Sequence, residues 1–248
     1  MKRTKALLLL LSSIPLFAQV QAGAIDTVAG NGTYGFSGDR GVATRAQVDA
    51  VYGLAVDSLG VVYIADTWNH RIRKVTPDGT ITTVAGTGEA GYSGDSGAAT
   101  AAKLSYPRGL ATDLQDVLYI SDSGNSCVRR VGRDGIITTV AGTGVGGYSG
   151  DGGQAKAARL FYPRGIAVDA AGTLYIADSL NFRVRKVTAA GIISTIAGTG
   201  VNGSSGESGL ATQMQVGMVQ GVAADFQASM EYHDGQRWLR SLTFTATT

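Results

Sequence analysis

Residues 83–97 read TVAGTGEAGYSGDSG, and the identity of this stretch decides the fold. Gly86, Gly88 and Gly91 stand in G-x-G-x-x-G spacing directly behind the apolar run Ile81–Ala85, which is how a dinucleotide-binding turn begins. That fingerprint requires a long amphipathic helix after the glycines and a parallel sheet around them. The residues that follow, SGDSGAATAAKLSYP (93–107), leave room for about two helical turns before Pro107. The same glycine spacing returns at Gly30, Gly32 and Gly35, at Gly142, Gly144 and Gly147, and at Gly198, Gly200 and Gly203. Four nucleotide sites in a chain of 248 residues are implausible, so the stretch reads as a connector used four times.

The connector belongs to a longer repeat. TVAG or TIAG begins at Thr27, Thr83, Thr139 and Thr195, a constant step of 56 residues. Tyr63, Tyr119 and Tyr175 keep that step inside YIAD, YISD and YIAD, as do Asp57, Asp113 and Asp169 at the ends of GLAVD, GLATD and GIAVD. A fourth copy opens at Gly221 with GVAAD and then degrades. Within the second unit, four short strands are predicted at Gly109–Thr112, Val117–Ser121, Cys127–Val131 and Ile136–Ala141, the last behind the hairpin signal Asp134-Gly135. Ala98–Leu104 is expected to form a short helix that caps the crossing to the next unit. A four-stranded antiparallel sheet cannot cover both its faces alone, and stacking such sheets at a fixed period makes a β-propeller.

These residues carry a family resemblance. YIADTWNHRIRKVTPDGTITTVAGTG (63–88) resembles the NHL repeat, and the longer unit with GYSGDSGAATAAKLSYPRGLATD resembles the extended form of bacterial secreted NHL proteins and teneurin-type propellers. The likeness covers residues 25–225 and fails over 226–248, where Glu231, Tyr232 and His233 stand in place of Tyr175, Ile176 and Ala177. It implies an all-β propeller without implying one activity, because the family includes binding modules, sensor domains and a peptide-amidating lyase.

Counting strands gives about four blades. The last is expected to combine C-terminal strands at 221–224, 229–232 and 237–245 with the N-terminal segment Ile25–Ala29 as its fourth strand; the alternative is an open arc of a larger propeller.

The first 22 residues place Lys2, Arg3 and Lys5 before an apolar run from Ala6 to Phe17, which reads as a secretory signal and leaves residues 23–248 as the propeller. Their removal takes the net charge from +2 to −1, so the basic surplus expected of a nucleic-acid binder disappears. A secreted or periplasmic protein follows, with no membrane span in the mature form. The single Cys127 excludes an internal disulfide framework and sits mid-strand, where it reads as packing.

Polar residues that recur in every unit serve the unit. Asp66, Asp122 and Asp178, each followed by Asn69, Asn125 or Asn181 and then by Arg73, Arg129 or Arg185, read as a turn with a buried ion pair. The SGD aspartates read as Asx-type turns. Binding is encoded where the frame varies: Trp68 and His70 align with Gly124 and Ser126, then with Leu180 and Phe182. Phe36, Tyr92 and Tyr148 share one connector position that Ser204 occupies in the fourth copy. Trp68, His70, Phe36, Tyr92, Tyr148 and Phe182 are therefore the candidate residues of a loop-rich face that binds a protein, peptide or glycan.

No catalytic residue, metal ligand or cofactor is assigned. The resemblance leaves a metal-dependent lyase or lactonase-like site at the axis as the alternative, against which stands the histidine count, His70 and His233 alone. An incomplete propeller would also leave a homo-oligomer open.

Overall fold

The computed structural model describes residues 25–205, 209–224, 229–233 and 240–243. The expected leader at 1–22 and the turn at Asp234-Gly235 lie outside the described residues. Sixteen strands are described: β1 Gly41–Val42, β2 Val51–Val56, β3 Val62–Asp66, β4 Arg71–Val75, β5 Thr80–Ala85, β6 Pro107–Thr112, β7 Leu118–Asp122, β8 Cys127–Val131, β9 Ile137–Ala141, β10 Pro163–Val168, β11 Leu174–Asp178, β12 Arg183–Val187, β13 Ile193–Ala197, β14 Gly221–Ala224, β15 Ser229–His233 and β16 Arg240–Thr243. They form four antiparallel sheets, β2 to β5, β6 to β9, β10 to β13 and β14 to β16, each in sequential order, with the two-residue β1 added outside β5 in the first. The strands expected in the second unit are present within a residue or two.

The apolar material lies between sheets, because each blade is apolar on both faces and can bury neither alone. Ala65, Ile72 and Ala85 of the first blade pack with Ala99, Ala102 and Leu104 of the connector against Leu110, Leu118, Ile120, Val131 and Ile137 of the second. The same layer recurs between the second and third blades around Val128, Leu160, Ile176 and Ile193. At the inner edge the backbones nearly touch: a Cβ on Gly53 would stand 1.9 Å from the Arg108 carbonyl oxygen, and one on Gly109 would stand 2.0 Å from that of Arg164.

Connectors close the outer edges. Before turning inward, the first three run beside the outermost strand of the blade they enter, as β1 does opposite β5, Ala98 opposite Ile136 and Gln154 opposite Ile192. Exposed edge N–H and C=O groups are thereby paired. The expected short helix is a single 3-10 turn, Ala99–Ala101, repeated at Ala43–Arg45, Ala155–Ala157 and Ala211–Gln213. The connector glycines answer to backbone geometry. Gly86 has φ +93°, and a Cβ there would lie 2.3 Å from the His70 carbonyl oxygen. Only glycine meets both conditions.

The closed four-bladed arrangement is not what forms. Ile25–Gly30 belongs to no strand, and the last sheet has three strands among the described residues. The N-terminal segment instead joins the first connector, with the Gly30 N–H donating to the Ala43 carbonyl at 3.0 Å and Ala29 against the cluster around Ile64 and Ile81. The leading face of the first blade stays open: Leu54 is 60% exposed, whereas its counterparts Leu110 and Ile166 are 6% and 5% exposed. At the other end nothing lies within 4 Å of a Cβ built on Gly221. The described blades thus form an arc with two unpartnered ends.

Candidate binding face

In the first three blades the turn between the second and third strands is a 3-10 turn that ends in a left-handed residue, His70 at φ 52°, Ser126 at φ 51° and Phe182 at φ 52°. The turn is held by the recurrent Asp, Asn and Arg. In the second blade the fully buried Asp122 accepts hydrogen bonds from the Ser105 N–H at 2.7 Å and from the Asn125 side chain at 2.7 Å. Arg129, also fully buried, lies 3.4 Å from Asp122 and 2.8 Å from Asp95. Asn125 donates a further bond to the Gly91 carbonyl at 2.6 Å. The cluster thus ties the incoming connector to the turn, and it recurs around Arg73 and Arg185.

Two expectations resolve here. The Asp and Asn do shape the turn and the Arg does pair within the blade, so these groups are not ligands around the axis. The SGD aspartates Asp39, Asp95 and Asp151 have a different role from the one expected. They are the outer partners of the buried arginines. A guanidinium with no solvent to receive it must find protein acceptors for its N–H groups, and the connector supplies a carboxylate and a backbone carbonyl in addition to the carboxylate of the turn. Burial is the main influence on the Asp122 and Asp178 carboxyls, pushing both up to about 6 against the pull of these donors.

The connector aromatics lie over the same arginines. Phe36 stacks 4.1 Å from Arg71 and 4.7 Å from Arg73, and Tyr148 stacks 3.7 Å from Arg183 and 4.9 Å from Arg185. Tyr92 has only Arg129, at 5.0 Å, because Cys127 stands where the other blades have Arg71 and Arg183. Its hydroxyl lies 2.8 Å from the Thr139 hydroxyl. These rings pack on their own blades while keeping one side open to solvent. Cys127 is fully buried, and burial raises its thiol well above the ordinary range, so it is a packing residue.

Trp68 projects from its turn, 59% exposed. His70 is half-buried; its Nδ1 accepts the Tyr106 N–H at 3.2 Å, and its ring meets the Tyr106 ring edge-on at 4.7 Å. Burial lowers its pKa, and the acceptor role of Nδ1 requires the neutral ring. Phe182 lies against the cluster around Val216 and Val219 and is half-buried. The structure therefore brings His70 together with Tyr106 and places Trp68 in the same turn as His70, whereas Phe36, Tyr92, Tyr148 and Phe182 lie in their own blades.

Sequence reasoning missed a second set, at the axial mouth of this face. Tyr52, Arg108, Arg164 and Gln220 are equivalent positions, 56 residues apart, where their inner strands begin. Arg108 lies 4.2 Å from the Tyr52 ring and 5.3 Å from the Tyr162 ring, and Arg164 lies 5.7 Å from the Tyr162 ring. The available signal was the Pro-Arg-Gly shared by two units and absent from the others.

The opposite mouth is acidic. A cavity of about 320 Å³ is lined by Asp57, Asp113, Asp116 and Asp169 with Val56, Val168 and Ala224. The repeating aspartates are engaged within their blades: Asp113 accepts the Gln115 and Val117 N–H groups at 2.9 and 3.0 Å and the Tyr119 hydroxyl at 3.3 Å. Among the described residues no three His, Cys, Asp or Glu side chains converge in a way that would hold a metal ion. No described helix is long and apolar enough to cross a membrane.

Comparison with known proteins agrees with this architecture. The teneurin NHL domain profile matches residues 87–147 and 145–223, and the NHL repeat profile matches residues 53–75. The chain is 32% identical over 204 residues to teneurin-3 of Danio rerio, covering 74% of this chain and 7% of that protein, so it spans a small part of such relatives. Among solved structures, an auxiliary nutrient binding protein from Bacteroides ovatus superposes with a TM-score of 0.55 at 21% identity, over 77% of this chain and 48% of that one. A chain of a nidogen/laminin complex superposes with a TM-score of 0.50 at 20% identity, over 74% and 56%.

Proposed function

Because the chain belongs to the NHL propeller family in its teneurin form, we propose that it is an exported binding platform, secreted or periplasmic, whose connector face holds a protein, peptide or glycan. The observation that carries this reading is the non-repeating pair Trp68 and His70 on an otherwise periodic scaffold, with His70 seated against Tyr106. The blade core needs none of it: Trp68 is exposed, and the second blade forms the same turn with Gly124 and Ser126. Large aromatic side chains exposed beside arginines are the usual anchors of a protein interface. Names among the similar proteins point the same way, one being a nutrient binding protein and another belonging to a nidogen/laminin complex.

The test is capture from the native compartment by the intact protein and by a Trp68→Ala, His70→Ala double variant, with the thermal transition measured alongside. The proposal expects loss of the captured partner with little change in the unfolding midpoint. Equal capture by both proteins removes this face from the site.

A further inference from the structure

The three fully buried arginines, Arg73, Arg129 and Arg185, have carboxylate partners, and the half-buried Arg71 and Arg183 donate to backbone carbonyls; the two at the axial mouth have neither a carboxylate nor a backbone acceptor among the described residues. The half-buried Arg108 side chain has no hydrogen bond or ion pair among the described residues, and its guanidinium lies over the rings of Tyr52 and Tyr162 at 4.2 and 5.3 Å. Its Nε is buried with no acceptor, as are those of Arg164 and of Arg71, Arg73, Arg129 and Arg185, so what distinguishes Arg108 is that its terminal nitrogens have no described partner either. Arg164 donates to the Gln220 side-chain oxygen, a neutral partner. Burial and the adjacent Arg108 charge both lower the Arg164 pKa, and no carboxylate figures among the groups that act on it. A guanidinium does not give up its proton at any ordinary pH, so two partly desolvated positive charges stand side by side with no counter-charge.

Stacking uses the flat face of a guanidinium and leaves its edge, where the N–H groups lie, free to donate. The alternation of Tyr52, Arg108, Tyr162 and Arg164 therefore holds the Arg108 fork before any ligand arrives, with Arg164 beside it, one of its terminal nitrogens held by Gln220. A carboxylate matches such a fork with two parallel hydrogen bonds. The mouth is continuous with the face described above, since Tyr106, two residues before Arg108, touches His70.

We propose that Arg108 and Arg164 form a subsite for the carboxylates of an acidic peptide segment, an inference that rests on the reading of this face as a binding surface. Arginine, tyrosine and tryptophan are the composition of a peptide or protein anchor site. An acidic sugar would need several neutral hydrogen-bonding side chains for its hydroxyls, and at these four equivalent positions the mouth offers Gln220 alone.

The test uses fluorescein-labelled hexaglutamate at low salt, titrated with the full chain and with an Arg108→Gln, Arg164→Gln double variant of unchanged thermal midpoint. Charge-assisted hydrogen bonds of this kind set the expectation: affinity falls at least about tenfold in the variant. In the unaltered protein it falls as salt is raised. The Arg108→Lys, Arg164→Lys variant, which keeps the charge and loses the fork, binds at an intermediate level. Absence of hexaglutamate binding, or equal binding by the Gln variant, overturns the subsite. Tighter, arginine-dependent binding of tetragalacturonate overturns the peptide assignment. A Trp68→Ala, His70→Ala variant separates the two readings: if it alone loses partner capture, the face stands and the arginine subsite falls. If only the arginine variant loses binding, the subsite stands without the wider face.

Discussion

Gly109 lies so close to Arg164 of the next blade that a Cβ on it would stand 2.0 Å from the Arg164 carbonyl oxygen. The contact recurs at each described junction, with Gly53 against Arg108 and Gly165 against Gly221, and it sets how tightly the inner strands pack around the axis. Gly109→Ala is expected to wedge two blades apart and lower stability by about 2–3 kcal/mol or more. Gly221→Ala meets nothing within 4 Å and is expected to leave the midpoint unchanged. Urea unfolding of both variants reads the difference. A large cost at Gly221 would mean that another blade or another copy stands against it in solution.

Arg129→Leu leaves Asp122 buried beside an empty position and is expected to cost about 3–5 kcal/mol. Lys103→Ala, which breaks a solvated pair with Glu89, is expected to leave the melting temperature where it was. Equal effects of the two substitutions would show that the buried cluster does not hold the turn.

Ser126 occupies the left-handed region at φ 51°, a conformation that costs a residue with a Cβ about 1–2 kcal/mol. Ser126→Gly relieves that strain but loses the Oγ that accepts the Tyr162 N–H at 3.5 Å and adds freedom to the unfolded chain, so it is expected to leave stability unchanged within about 0.5 kcal/mol. Ser126→Val should lower it. Thermal unfolding of the pair checks the sign, and a stabilising valine would contradict the turn geometry.

Stability should also respond to acid in an uncommon direction. Asp122 and Asp178, pushed up to about 6 by burial, bind protons more readily folded than unfolded. Their contribution is fully present below about pH 4, the unfolded carboxyl value, and is lost as pH rises through about 6. His70, lowered by burial, acts oppositely: its contribution is present above about 6.5 and lost as pH falls. Two carboxyls outweigh one imidazole, so the protein is expected to be more stable at about pH 5 than at about pH 7.5, by about 1–3 kcal/mol. Asp122→Asn should reduce that difference. Stability that falls steadily from neutral pH to pH 5 would mean that the buried aspartates remain charged.

The periodic part of the molecule was legible in the sequence because each blade is a local structure. Strands of five or six residues, tight turns and glycines with positive φ depend on neighbours a few residues away, and the 56-residue step repeats those neighbours. The buried Asp, Asn and Arg were legible for the same reason: a polar group kept in every blade is kept by something every blade contains. Trp68 and His70 stood out because they vary within that frame.

What the sequence could not determine is whatever depends on contacts between units. The second carboxylate on each buried arginine comes from a connector 34 residues away, which no local pattern indicates. The Tyr52, Arg108, Tyr162 and Arg164 row is built from three blades, and its two guanidinium groups, neither with a carboxylate among the described residues, become neighbours only when the inner strands meet at the axis. Closure was undetermined for the same reason. The strand pattern permitted the N-terminal segment to complete the last sheet, but pairing depends on the distance between chain ends, which the twist and stacking angle of every intervening blade fix together. In the folded chain that segment lies on the first connector instead, with Leu54 facing solvent at one end of the arc and Gly221 at the other.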